Sequence, residues 1–174
     1  IYTSEMGRAL ANTVDKNLLQ LAVLSAQASA TITGGSGGTQ ITDADANTNA
    51  TSLIASIFEC DQALDEKDDP SEYRFCVVKP DIYYQSVQND KTLNRDFGAN
   101  GNGVYSDGTV IKVAGINIVK SNTAVTAFAD NSSAVSGTNN TYNVDAQHVV
   151  ATVFHKSAIG TVKLMDLGME SEYD

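Results

Sequence analysis

Residues 73–81 read Tyr73-Arg74-Phe75-Cys76-Val77-Val78-Lys79-Pro80-Asp81. The six residues from Tyr73 to Val78 are strand formers with apolar groups on both faces of the pleat. That pattern belongs to a central strand covered on both sides. Pro80 suits the first turn of a helix, so a short helix is predicted from Asp81 to Gln88, carrying Ile82, Tyr83 and Val87.

Upstream, apolar residues fall at Tyr2, Met6, Leu10, Val14, Leu18, Leu21 and Leu24. Steps of four and then three keep one stripe on a helix running from Ile1 to about Ala28. At 1.5 Å per residue this helix would be roughly 40 Å long, which suits a strut lying across a sheet. Gly34-Gly35-Ser36-Gly37-Gly38 has the composition of a flexible linker. A second helix is predicted from about Ala50 to Lys67, with Leu53, Ile54, Ile57, Phe58 and Leu64 on one face. Pro70 stops it. Downstream, 110–120 reads as two short strands around Ala114-Gly115, and His148 to Phe154 as a third strong strand. Residues 161–169 look extended. Three polar stretches, 34–49, 89–108 and 122–145, read as loops. The sum is an α+β fold, without the regular alternation of a doubly wound sheet.

The chain has 174 residues, enough for one sizeable core. Its formal net charge of −10 argues against a nucleic-acid-binding surface, which needs clustered Lys and Arg. Cys60 and Cys76 are too few for a disulfide framework and lack zinc-ligand spacing, so buried free thiols are expected. No stretch of about 18 apolar residues occurs, so no transmembrane helix and no membrane partner is expected. The chain does not begin with Met and opens inside a helical pattern, so part of a longer polypeptide is expected.

The motifs that could carry chemistry read better as structure. Gly34, Ser36 and Gly38 satisfy G-x-S-x-G, but a nucleophile elbow needs a strand before the Ser and a helix directly after it. His148 and His155, its potential bases, are expected to be structural. Asp43, Asp45 and Asn47 start like a calcium loop. The pattern then fails at Thr48 and Ile54, leaving Asx turns that lead into the helix after Asn49. Glu59, Asp61, Asp65, Glu66, Asp68 and Asp69 read as a solvated acidic face. These carboxylates are unfavourable at a helix C-terminus unless a cation offsets them. No dinucleotide or P-loop signature occurs. No catalytic residue, cofactor, metal site or small-molecule substrate is therefore expected.

Two stretches look familiar. His155-Lys156-Ser157-Ala158-Ile159-Gly160-Thr161-Val162-Lys163-Leu164, with Met165-Asp166-Leu167 after it, and Tyr2-Thr3-Ser4-Glu5-Met6-Gly7-Arg8-Ala9-Leu10-Ala11 resemble the major capsid protein of T-seven-type short-tailed phages (podoviruses). Between them, Arg74 to Asp81 followed by Tyr83 resembles the strand, turn and helix of that family. The resemblance implies the Hong Kong 97 capsid fold. Residues 1–28 would be the spine helix of the peripheral domain. Residues 29–156 would be the axial domain, a mixed sheet flanked by helices. Residues 157–174 would return to the peripheral domain, and the fold would be incomplete.

The resemblance further implies a structural, non-enzymatic phage head protein. It would self-assemble into pentamers and hexamers of an icosahedral shell and reside in the virion after assembly in the host cytoplasm. Its partners would be identical subunits, scaffolding and portal proteins. It would enclose double-stranded DNA without sequence-specific binding. Glu5, Arg8, Lys163 and Asp166 are candidate interface charges, and loops 89–108 and 122–145 candidate contact surfaces. The competing expectation from the residues alone is a sheet-based binding or adhesion module with polar recognition loops.

Overall fold

The computed structural model describes residues 2–88, 103–104, 109–110, 112–133 and 143–162. Its elements in chain order are α1 (Tyr2–Gln27), α2 (Ala50–Asp65), β1 (Arg74–Val78), α3 (Pro80–Val87), β2 (Gly103–Val104), β3 (Thr109–Val110), β4 (Lys112–Val113), β5 (Ile116–Lys120), α4 (Thr123–Ala127) and β6 (Ala151–His155). A single 3-10 turn, Lys156–Ala158, follows β6.

Local chemistry sets several of these boundaries. The Asn49 side chain accepts the Thr51 N–H and caps α2. Pro80 opens α3, where its missing N–H costs nothing. Ala114 and Gly115 both have positive φ, 51° and 78°. They form the two-residue turn that matches the right-handed twist of a hairpin, here β4–β5.

The main sheet has the order β4-β5-β1-β6. β1 lies inside it, parallel to β5 and antiparallel to β6, as its two apolar faces require. Successive β1 side chains point to opposite faces. Cys76 and Val78 join Leu53 and Ile57 of α2, Ile82, Tyr83 and Val87 of α3, and Val113, Ile116 and Ile118. Val77 joins Leu19 and Val23 of α1, Ala124, Ala127 and Phe128 from the α4 region, and Val144 and Ala146. The sheet is thus covered by α2 and α3 on one face and by α1 and α4 on the other. Among the described residues no helix is long and apolar enough to cross a membrane.

Four expectations need correction. The stripe on α1 is not the face that docks. Leu19, Gln20, Ala22 and Val23 are buried, and Leu19 and Val23 lie roughly across the helix from the stripe's centre. The glycine run does not behave as a linker. The Gly38 N–H donates to Ala28 O at 2.9 Å, and the Lys67 ammonium donates to Gly37 O at 2.6 Å and to the Thr39 hydroxyl. A Cβ on Gly38 would overlap the backbone carbonyl of Ala26, and one on Gly37 would stand 2.8 Å from Ala28 O. Glycine is there for close approach, and the segment is a strap folded back on the end of α1. The stretch read as loop 122–145 begins with a helical turn, α4, and the end of loop 89–108 carries β2. The last strand opens at Ala151, three residues after His148. Most of the extended reading at 161–169 lies outside the described residues.

Candidate assembly surfaces

The acidic run gathers around one arginine. Arg74 shares its face of β1 with Cys76 and Val78, so it points toward α2. Its side chain is 1% exposed, with the guanidinium 2.6 Å from Asp61 and 2.8 Å from Asp65 on α2, and 3.6 Å from Asp69. It also donates to Pro70 O at 3.0 Å and to Asp69 O. Burial by itself would lower the Arg74 pKa. The hydrogen bonds and charges of Asp61 and Asp65 outweigh it and hold the pKa above the ordinary arginine value. The cation stands at the C-terminal end of α2, where it offsets both the carboxylates and the helix dipole. Asp61, Asp65 and Asp69 therefore form part of the fold, while Glu59, Glu66 and Asp68 remain exposed. Asp61 and Asp65 stand one turn apart at the end of α2, Asp69 follows just past it, and a lone Arg opens the next, apolar strand. That was the legible signal for this cluster.

The other singled-out groups are also accounted for locally. Asp43 accepts the Asp45 N–H at 2.8 Å in an Asx turn, as expected. Asp43 and Asn47 line a cleft of about 380 Å³ with Lys79, Asp81 and His148. Among the described residues no three His, Cys, Asp or Glu side chains come together as a metal site. Ser36 lies in the strap, with no strand before it and no helix until Ala50. His155 caps the turn after β6: its Nδ1 accepts the Ser157 N–H and lies 2.7 Å from the Ser157 hydroxyl. Burial pushes the Cys76 thiol up to about 12, and burial with Glu59 and Asp61 pushes Cys60 up to about 11. Both are free thiols in their least reactive form.

An exposed apolar surface lies on α1. Every residue from Tyr2 to Asp15 is exposed. Tyr2, Met6, Leu10 and Val14 form an apolar ridge, 88%, 60%, 42% and 46% exposed. Glu5 and Arg8 stand on the same two turns and make no ion pair among the described residues. Lys163 and Asp166 lie outside the described residues, as do loop 89–108 apart from Gly103–Val104 and residues 134–142 of loop 122–145.

A protrusion of this kind fits a protein that is finished by contact with others, and similarity to known proteins identifies which kind. A family model described as Gp10A-like major capsid protein matches residues 1–174. The chain belongs to that family. Among solved structures it is similar to the capsid of the cyanophage P-SCSP1u, with a TM-score of 0.85 and 40% identity, covering 97% of this chain and 54% of that one. It also superposes on the asymmetric unit of the bacteriophage PhiM1 mature capsid, with a TM-score of 0.70 and 21% identity, covering 88% of this chain and 48% of that one. The second likeness shows the fold. None of the curated proteins matches significantly. The chain spans about half the length of the capsid chains it matches. The α+β capsid fold and the structural role expected from the sequence both stand, and membership in the family places such proteins in the virion.

Proposed function

We propose that this chain is the central part of a shell-forming subunit. Copies of it assemble into pentamers and hexamers that close into an icosahedral container for double-stranded DNA. Its action is surface complementarity rather than catalysis. The observation that carries the reading is the family match over the whole chain, joined to 40% identity with a phage capsid chain over 97% of its length.

In this reading residues 1–28 are a strut shared between two layers, 29–156 an axial body, and 157–174 a return segment toward the strut's layer. The exposed ridge on α1 supports it, because about 21 Å of amphipathic helix projects beyond the docked turns. Glu5 and Arg8 on that projection, with Lys163 and Asp166, would contribute charges to the contacts between subunits. Scaffolding and portal proteins complete the set of partners, and assembly takes place in the host cytoplasm. The net charge of −10 favours solubility and disfavours tight DNA binding by this chain.

The test is to express the whole capsid polypeptide and image it by negative-stain microscopy. Uniform closed shells are expected, and soluble monomers would refute the proposal. Reversing Glu5 or Arg8 should lower the particle yield; an unchanged yield removes that residue from the interface. Changing Ser36 to Ala should leave every property unaltered, since no hydrolysis depends on it.

A further inference from the structure

We infer that the joint between α1 and the body is built to yield, and that Gln20 is its weak point. Gln20 is 2% exposed, and its Nε2 has no hydrogen-bond partner among the described residues. Its neighbours Leu19, Ala22 and Val23 are buried against the body. A buried amide donor without an acceptor costs its full desolvation penalty, roughly ten- to a hundredfold in an equilibrium constant. Undocking α1 returns that donor to water. The penalty is thus paid only in the docked state and biases the joint toward opening.

The rest of the joint is consistent with this. Among the described residues α1 is held by its C-terminal turns alone, since Tyr2 to Asp15 are exposed. The body's side of the contact mixes three alanines, Ala124, Ala127 and Ala146, with Val77, Val144 and Phe128 and the partly buried Val149 and Phe154. Alanine presents little relief to lock a helix in one register. The strap is different: Gly38 and Lys67 tie it to the end of α1 and to the body by hydrogen bonds. The C-terminal end of the helix is therefore tethered, while the contact that sets its angle carries the unpaired Gln20 amide.

The role rests on the shell reading above. One sequence that serves in both pentamers and hexamers must accept more than one angle between strut and body. A joint with an internal penalty supplies that range at low cost. A well-packed apolar residue at position 20 would remove it.

The test uses the whole capsid polypeptide as wild type, Gln20→Met and Gln20→Glu. Met has nearly the volume of Gln and no donor to strand. Glu keeps the shape but cannot be buried charged. Hydrogen exchange of the amides from Leu18 to Leu24 in unassembled subunits should slow about tenfold in Gln20→Met and quicken in Gln20→Glu. Unchanged or faster exchange in Gln20→Met overturns the inference, because the amide would then be supporting the joint. In assembly, Gln20→Met should give fewer closed shells and more aberrant particles. Slowed exchange with wild-type yield and shape would overturn the assembly role. A wild-type polypeptide that forms no shells would instead refute the shell reading, and the exchange result would be read independently of it.

Discussion

Replacing Arg74 with Met tests whether the acidic run is held in the fold by one cation. The side chain is 1% exposed and lies within 4 Å of Asp61, Asp65 and Asp69. Removing one member of a buried ion pair costs about 3–5 kcal/mol, mostly because the other charge is stranded. Here the stranded carboxylates keep part of their water: their side chains are 25%, 62% and 26% exposed, although Asp69 Oδ2 itself is buried and accepts no hydrogen bond among the described residues. Their mutual repulsion is screened accordingly, and we expect a loss of about 2–4 kcal/mol. For a chain of this length that is a fall in Tm of roughly 5–12 °C. Urea unfolding followed by circular dichroism at low and high salt measures it. The loss should shrink at 0.5 M salt, where the Debye length falls to about 4 Å. Adding Asp61→Asn and Asp65→Asn to Arg74→Met should recover about half the loss. Arg74→Met within about 0.5 kcal/mol of wild type at low salt would refute the reasoning. So would a loss that neither salt nor the added substitutions relieve.

Gly38→Ala should cost about 1–3 kcal/mol, because the added methyl meets the Ala26 carbonyl and the strap must shift. A variant as stable as wild type in urea would show that the strap is loose. The buried Asn131 donates through Nδ2 to the carbonyls of Thr126, Ala127 and Ala129; Asn131→Ala should destabilise by about 2–3 kcal/mol, read from the same unfolding curves. The thiols give a pH signature. Folding raises the pKa of Cys60 and Cys76 to about 11 and 12 from 9.0, so the folded state holds the protons more tightly. Stability is unaffected below about pH 9 and falls as pH rises through the interval up to those values. Cys60→Ala/Cys76→Ala should flatten that decline. At pH 8 the native thiols should react with iodoacetamide at least about a hundredfold more slowly than in urea, and rapid labelling of Cys76 in native protein would contradict its burial.

Much of the fold was legible because short-range chemistry determines it. Val77 and Cys76 on opposite faces of one strand announce a sheet with two covered sides. Asn49 and Pro80 mark helix starts wherever they are placed. The candidate surfaces were less legible. Glu5 and Arg8 stand exposed on α1 as a helical pattern implies, yet nothing local says which face of that helix will dock. The stripe from Tyr2 to Leu24 has the stronger periodicity, but the body takes the face of Leu19 and Val23. In its last turns α1 is apolar nearly all round, and periodicity cannot choose between two apolar faces. The short helix α4 was missed because Thr123 to Ala127 is too brief to show a period.

By itself the sequence determined the helices, the central strand, the exclusion of an obvious nucleic-acid surface and the resemblance to phage capsid proteins. These follow from neighbouring residues or from matching motifs, and neither requires the path of the chain in space. The tertiary structure alone decided three things. It brought Asp61, Asp65 and Asp69 onto Arg74. It turned a glycine run from apparent linker into a strap against the end of α1. It buried Gln20 with no acceptor for its Nε2 among the described residues. Each depends on how one segment packs against another rather than on the composition of either. Burial is what gives a charge, a missing Cβ or an unpaired amide its energetic weight, and burial is a property of the packed fold.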